Sequence, residues 1–158
     1  LIGLDIRKPM LAHYLNLPSK GCVTSYLADE AYSVDDLIVK SEFDNLDILP
    51  AGAIPPNPSE LLQGQRLDEL FAELRKRYDY VIIDSAPIGL VSDTFSLSKY
   101  SDVTLYVSRA NYTKKSFIKY LNSVVERGQL KNVAVVVNDT NPKLSHGYGY
   151  GYGNSDKD

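Results

Sequence analysis

Short apolar runs alternate with stretches of helical periodicity along most of this chain, and that alternation leaves few folds open. Residues 1–5, 46–49, 80–84, 103–107 and 133–137 are brief runs rich in Leu, Ile and Val. Runs of that length and composition read as strands. Between them, Leu67, Leu70, Phe71 and Leu74 recur at i, i+3, i+4 and i+7, which predicts a helix over 65–77. Its acidic residues come early and Arg75, Lys76 and Arg77 come late, the order a helix dipole favours. A second long helix is predicted over 114–127, with Phe117, Ile118, Leu121, Val124 and Val125 facing inward and Gly128 ending it. Shorter helices are expected over 10–15, 24–28, 34–39, where Ser33 is the cap, and 92–98. Apolar strands alternating with helices predict an α/β fold, a parallel sheet buried on both faces beneath helices.

Composition narrows the class further. The chain has 158 residues, 44% of them hydrophobic, which suits one domain with a real core. We place that domain at 1–140 and a tail at 141–158. A net charge of −3 implies no broad basic face, so nucleic acid is not an expected partner. The single cysteine, Cys22, excludes an internal disulfide framework, fits a reducing compartment and reads as a plain half-buried side chain. His13 and His146 lie far apart and suggest no metal site. No apolar run approaches the roughly 18 residues needed to cross a bilayer. Residues 147–153 alternate glycine and tyrosine, and the entropy lost on ordering glycine predicts a flexible segment. Its tyrosines Tyr148, Tyr150 and Tyr152 are either hydroxyls on a tether that reaches another protein's active site or a sticky, low-complexity end.

The residues able to carry chemistry sit at strand ends. Asp84 closes the run Tyr80-Val81-Ile82-Ile83 and is followed by Ser85, Ala86 and Pro87. In open parallel sheets, ligands bind at the carboxyl ends of strands. A carboxylate there serves no packing purpose and is costly to bury unpaired. Asp5 repeats the pattern, so two acidic strand ends can converge on one Mg²⁺, a hard cation that prefers oxygen ligands and keeps several waters. Arg7 either pairs with Asp5 or reaches a phosphate. Asn138, at the end of the last strand, either reads a nucleotide base or serves a turn. Arg109, Lys114 and Lys115 are phosphate neutralisers or solvated surface. The segment 51–58, with three prolines and a glycine, is a stiff loop.

These segments together resemble the cytoplasmic domain of the bacterial tyrosine kinases, P-loop enzymes tied to capsule and exopolysaccharide export. Leu1-Ile2-Gly3-Leu4-Asp5-Ile6-Arg7-Lys8-Pro9 is similar to the family's second Walker-type motif. Leu49-Pro50-Ala51-Gly52-Ala53-Ile54-Pro55-Pro56-Asn57-Pro58-Ser59-Glu60-Leu61-Leu62 is similar to its loop-helix signature. Val81-Ile82-Ile83-Asp84-Ser85-Ala86-Pro87 resembles its Walker B strand, Val133 to Asn138 its last strand, and the Gly-Tyr tail its tyrosine cluster. The resemblance implies a P-loop NTPase-like fold and ATP-dependent tyrosine phosphorylation with Mg²⁺. In that reading Asp84 holds the metal shell. Asp5 assists the metal or accepts the tyrosine proton, and Arg7 and Asn138 face the nucleotide. Tyr148, Tyr150 and Tyr152 are phosphorylated on the tails of neighbouring subunits in a ring. It also implies partners in the polysaccharide export machinery and a cytoplasmic position in a bacterial inner-membrane protein, with the membrane reached through segments outside this sequence. Two departures stand out. Gly3 occupies the place of the first aspartate of the family's Asp-x-Asp pair, and no G-x-x-x-x-G-K-[ST] sequence occurs. The phosphate loop is therefore expected upstream of Leu1, and the isolated chain is expected to be inactive. The rival readings are a P-loop ATPase of the partition and cell-division type and a non-catalytic interaction module.

Overall fold

A computed structural model describes residues 1–17, 21–89 and 93–141. The chain divides into two units, Leu1–Ser101 and Asp102–Asp158. Among the described residues no helix is long and apolar enough to cross a membrane.

The first unit is organised on β1 (Ile2–Gly3). β1 pairs in parallel with β4 (Ile83–Asp84), Ile2 opposite Ile83 and Gly3 opposite Asp84. On its other side Ile2 bridges in parallel to Leu49, just beyond β3 (Asp47–Ile48). The Gly3 amide donates to the Leu49 carbonyl at 2.9 Å. Ile2, Gly3 and Leu4 are all buried, as a central strand requires. α4 (Gln65–Arg77) forms over the predicted span. Its stripe Leu67, Leu70, Phe71 and Leu74 joins Ile2, Leu4, Ile6 and Leu49 in one core. Each such side chain contributes roughly 1.5–3 kcal/mol by leaving water. The short helices α1 (Leu11–Tyr14), α2 (Val23–Ala28), α3 (Pro58–Leu61) and α5 (Asp93–Leu97) complete the first unit's helices. A 3₁₀ turn, Ser98–Tyr100, continues from α5.

The helix expected over 34–39 is shorter. Val34–Leu37 makes a 3₁₀ turn, and Val39–Lys40 is a strand, β2. The Asp36 carboxylate accepts the Ser33 amide at 2.8 Å and closes a single turn. Val39 and Lys40 then pair antiparallel with Ile48 and Asp47, and Lys40 Nζ meets Asp47 Oδ2 at 2.7 Å.

The 80–84 run departs from its expected two-sided burial. Val81 and Ile83 pack on the core, but Tyr80 is 87% exposed and Ile82 61%. Side chains alternate across a strand, and among the described residues of the first unit nothing covers the second face. Among the described residues β4 has a strand neighbour only in β1.

The second unit pairs β5 (Thr104–Arg109) with β6 (Val133–Asn138) in parallel, Thr104 opposite Val133 through Arg109 opposite Asn138. Parallel strands need a crossover, supplied here by α6 (Lys115–Glu126). Gly128, at φ +67°, ends that connection: its amide donates to the Val125 carbonyl at 2.8 Å, and the Gln129 amide to the Val124 carbonyl at 3.1 Å. This is a Schellman closure. Leu121 and Val124 are buried and Ile118 half-buried, but Phe117 and Val125, expected inward, are exposed. Leu105, Val107, Ala134 and Val136 share one sheet face and are exposed as well. The α6 stripe is narrower and the sheet more open than two-sided burial predicts, because among the described residues this unit has too few elements to cover both. The tail expected to be flexible, with His146, lies beyond Asn141 and outside the described residues.

Candidate active site

The two acidic strand ends lie side by side. Gly3 is opposite Asp84 in the β1–β4 ladder, and the amides of Leu4 and Asp5 both donate to the Asp84 carbonyl, at 2.7 and 3.1 Å. Asp5 is half-buried. Its Oδ1 accepts the amides of Arg7 (3.2 Å) and Lys8 (2.9 Å), a local turn that pins the carboxylate at the strand end. Asp5 Oδ2 and both side-chain carboxylate oxygens of Asp84 accept no hydrogen bond among the described residues, so they remain available to a ligand. Asp84 is exposed at its strand end, and the partial withdrawal from water that remains, then the charge of Asp5, push its carboxyl above the ordinary range. An added cation would relieve both effects.

Gly3 has a local reason of its own. A Cβ there would stand 3.1 Å from the Ala51 amide nitrogen and 3.3 Å from a Leu11 methyl. The loop-helix signature thus closes on the strand where the family pattern has an aspartate.

Arg7 does not pair with the Asp5 carboxylate. Its Nε donates to Asp93 Oδ2 at 2.6 Å and its Nη2 to Ser59 Oγ at 3.0 Å. Asp93 is only 6% exposed, and the Arg7 bond holds its carboxyl below the usual range against the opposing pull of burial. Arg7 Nη1 makes no hydrogen bond among the described residues. Asn138 lies in the second unit at the end of β6, where its side-chain oxygen accepts the Asp139 amide at 2.8 Å, a turn contact. Arg109 is exposed, paired with Asp139 at 2.9 Å. Cys22 is half-buried, its sulfur 2.9 Å from Ser25 Oγ. Tyr148, Tyr150 and Tyr152 lie outside the described residues.

Two residues that the motifs do not single out, Ser59 and Asp93, thus contact the site's arginine. Ser59 lies within the loop-helix signature. Asp93 carried no sequence signal, since its partner is 86 residues away.

No cluster of three or more His, Cys, Asp or Glu able to hold a metal occurs among the described residues. That does not disagree with Mg²⁺, which is usually bound through one or two carboxylates plus water and substrate phosphates. The donor set is all oxygen and carries two negative charges, and it fits that ion.

No model of a known protein family matches the chain. The tyrosine-protein kinase CpsD of Streptococcus agalactiae serotype III (strain NEM316) is 30% identical over 147 residues, which cover 92% of this chain and 62% of CpsD. The chain therefore spans less than two thirds of that relative. The crystal structure of the VpsO kinase domain superposes with a TM-score of 0.79 at 34% identity, covering 89% of this chain and 69% of that one. The cell division ATPase MinD of Pyrococcus furiosus shares the fold alone, with a TM-score of 0.65 at 23% identity over 86% of this chain and 56% of MinD. The fold is α/β of the P-loop NTPase kind, and with its strand-end aspartates and loop-helix signature the chain belongs to the bacterial tyrosine-protein kinases.

Proposed function

We propose that this chain is the part of an ATP-dependent protein-tyrosine kinase domain that carries the two acidic strand ends. The observation that supports it best is the meeting of Asp5 and Asp84 at the carboxyl ends of two hydrogen-bonded parallel strands, with oxygens of both free of protein partners. Mg²⁺–ATP, when bound, supplies the phosphoryl group and spreads its developing charge. Asp84 holds the cation or its waters, and Asp5 beside it either shares the cation or takes the phenolic proton. A tyrosine hydroxyl has a pKa near 10, so an acceptor for that proton is needed at neutral pH. Arg7 offers Nη1 to phosphate oxygens. The acceptors are Tyr148, Tyr150 and Tyr152 on the tails of neighbouring subunits in a ring. Their phosphorylation adds about −1.5 to −2 charges each and loosens that ring. The full protein regulates capsule or exopolysaccharide polymerisation and export, as the cytoplasmic domain of a bacterial inner-membrane protein.

A further part of this reading, that sheet and phosphate loop are completed by chain outside this sequence, is supported by the lack of a G-x-x-x-x-G-K-[ST] sequence and by the 62% of CpsD that the chain matches. The 158 residues alone then bind ATP very weakly and do not phosphorylate themselves. The test uses the full-length protein with labelled ATP. Phosphotyrosine should form on the tail, fall roughly two orders of magnitude or more in Asp84→Asn, and vanish when the three tail tyrosines become phenylalanine. The expected loss in Asp84→Asn corresponds to several kcal/mol of metal-borne charge stabilisation. Nucleotide hydrolysis without phosphotyrosine would favour the second reading, a cell-division type ATPase, to which the likeness to MinD points. Robust phosphate incorporation by the isolated 158-residue chain would overturn the reading of it as an incomplete domain.

A further inference from the structure

Three segments far apart in the sequence close a ring around one guanidinium. Besides the two bonds from Arg7, Ser59 Oγ donates to Asp93 Oδ1 at 2.9 Å. Each Asp93 oxygen thus receives one bond, and the Ser59 hydroxyl spends its single proton on Asp93 while accepting from Arg7. A carboxylate as buried as Asp93 needs its cation, and Arg7 can leave only at the cost of an uncompensated charge.

Each member of the ring is attached to something the proposed site uses. Arg7 lies two residues past Asp5 and donates its own amide to Asp5 Oδ1. Ser59 sits in α3, directly after the proline-rich loop. Asp93 opens α5, and the next residue, Thr94, donates its hydroxyl to the Ala86 carbonyl at 2.6 Å, two residues past Asp84. The first two residues of α5 therefore fasten both loops that follow the acidic strand ends.

We infer that Asp93, together with Ser59, is a positioning residue of this site: acting through Arg7, it fixes the turn that presents Asp5 beside Asp84. The inference rests on the kinase reading above. It gives the proline-rich loop a task, to deliver the Ser59 hydroxyl to the ring at little conformational cost. Groups that orient a site's ligands from behind in this way typically change activity or metal affinity by roughly 10- to 100-fold when removed.

The test compares the full-length protein with its Asp93→Asn, Arg7→Ala and double variants. In Asp93→Asn, kcat for phosphotyrosine formation should fall roughly 10-fold or more, while KM for ATP moves much less. In the Arg7→Ala background the same change should add no further loss, since Asp93 acts through Arg7. Without nucleotide, hydrogen exchange at the Lys8 amide, which donates to Asp5 Oδ1, should speed up in Asp93→Asn. An Asp93→Asn protein that keeps its kcat and its Lys8 protection would overturn the inference, and so would a full, additive loss on top of Arg7→Ala. If Asp93→Asn shows no cooperative melt, Ser59→Ala carries the test. It should lower kcat about 3- to 10-fold, the worth of one hydrogen bond, with partial recovery in Ser59→Thr. An unchanged kcat in Ser59→Ala overturns the inference in that case. A wild-type protein without kinase activity whose Lys8 exchange still responds to Asp93→Asn would sink the kinase reading and leave the positioning role standing.

Discussion

Asp84 is held in a state the fold itself disfavours. Its carboxyl takes up a proton more readily in the folded chain than in the unfolded one, because it is partly withdrawn from water and faces Asp5. Ionising it, as the pH rises from the unfolded value near 3.9 through the raised folded one, therefore removes stability. Asp84→Asn removes that penalty, so the variant should melt above wild type at neutral pH, with a difference that shrinks at pH 3–4. Thermal melts across pH measure it, and a lower melting temperature at pH 7 would contradict the assignment. On the proposed reading, stability and phosphoryl transfer then pull in opposite directions at this one residue. Gly52 is the opposite case, a residue the fold cannot replace. At φ +96° it occupies backbone space that side chains rarely enter, and a Cβ would fall 2.3 Å from the Cys22 sulfur and 2.6 Å from Thr24 Oγ1. Gly52→Ala should cost about 2 kcal/mol or more, strain and overlap together, measured by urea unfolding.

At the scale of elements, α4 and the end of α6 show what the chain announces about itself. The α4 stripe was legible because one periodic pattern decides both helix and buried face, and all four of its side chains are in the core. Leu70→Ala should accordingly cost about 2–5 kcal/mol. Gly128 was legible as a stop, since Lys115–Glu126 ends there at a positive φ. Unlike Gly52, it has open space around a Cβ, so Gly128→Ala should cost only about 1 kcal/mol, the backbone share alone. A cost near that of Gly52→Ala would mean that the Schellman turn contacts something else. The strand ends Asp5 and Asp84 were legible for a similar reason, being polar interruptions of apolar runs. What stayed hidden depends on distant partners. Val39 and Lys40 carry no local mark of a strand and become one only by meeting Ile48 and Asp47. The choice of Asp93 over Asp5 as the partner of Arg7 is likewise set by tertiary approach. Phe117 and Val125 fit the helical spacing yet stay exposed, because periodicity predicts which face could be buried and not what arrives to bury it.

Among the described residues, each unit leaves open surfaces that a parallel α/β fold ordinarily covers. Tyr80 and Ile82 are exposed on the first unit, and Leu105, Val107, Ala134 and Val136 form an exposed apolar face on the second. Contiguous apolar surface of this kind marks a place where something binds or where copies aggregate. On the reading proposed above, further chain covers the β5–β6 face; the chain matches 62% of CpsD. This predicts opposite outcomes for one pair of substitutions. In the isolated 158-residue chain, Leu105→Thr with Val107→Thr should reduce self-association and the binding of a hydrophobic dye, because the changes remove exposed apolar surface while keeping strand propensity. In the full-length protein the same changes should lower stability by roughly 2–4 kcal/mol, because there the two side chains leave a core. Light scattering and dye fluorescence read the first arm, and denaturant unfolding the second. If the substitutions leave the full-length protein as stable as before, the face stays open there too and the sheet is not completed on that side. A loss in the long protein joined to better behaviour of the short one would locate the missing cover on the β5–β6 face.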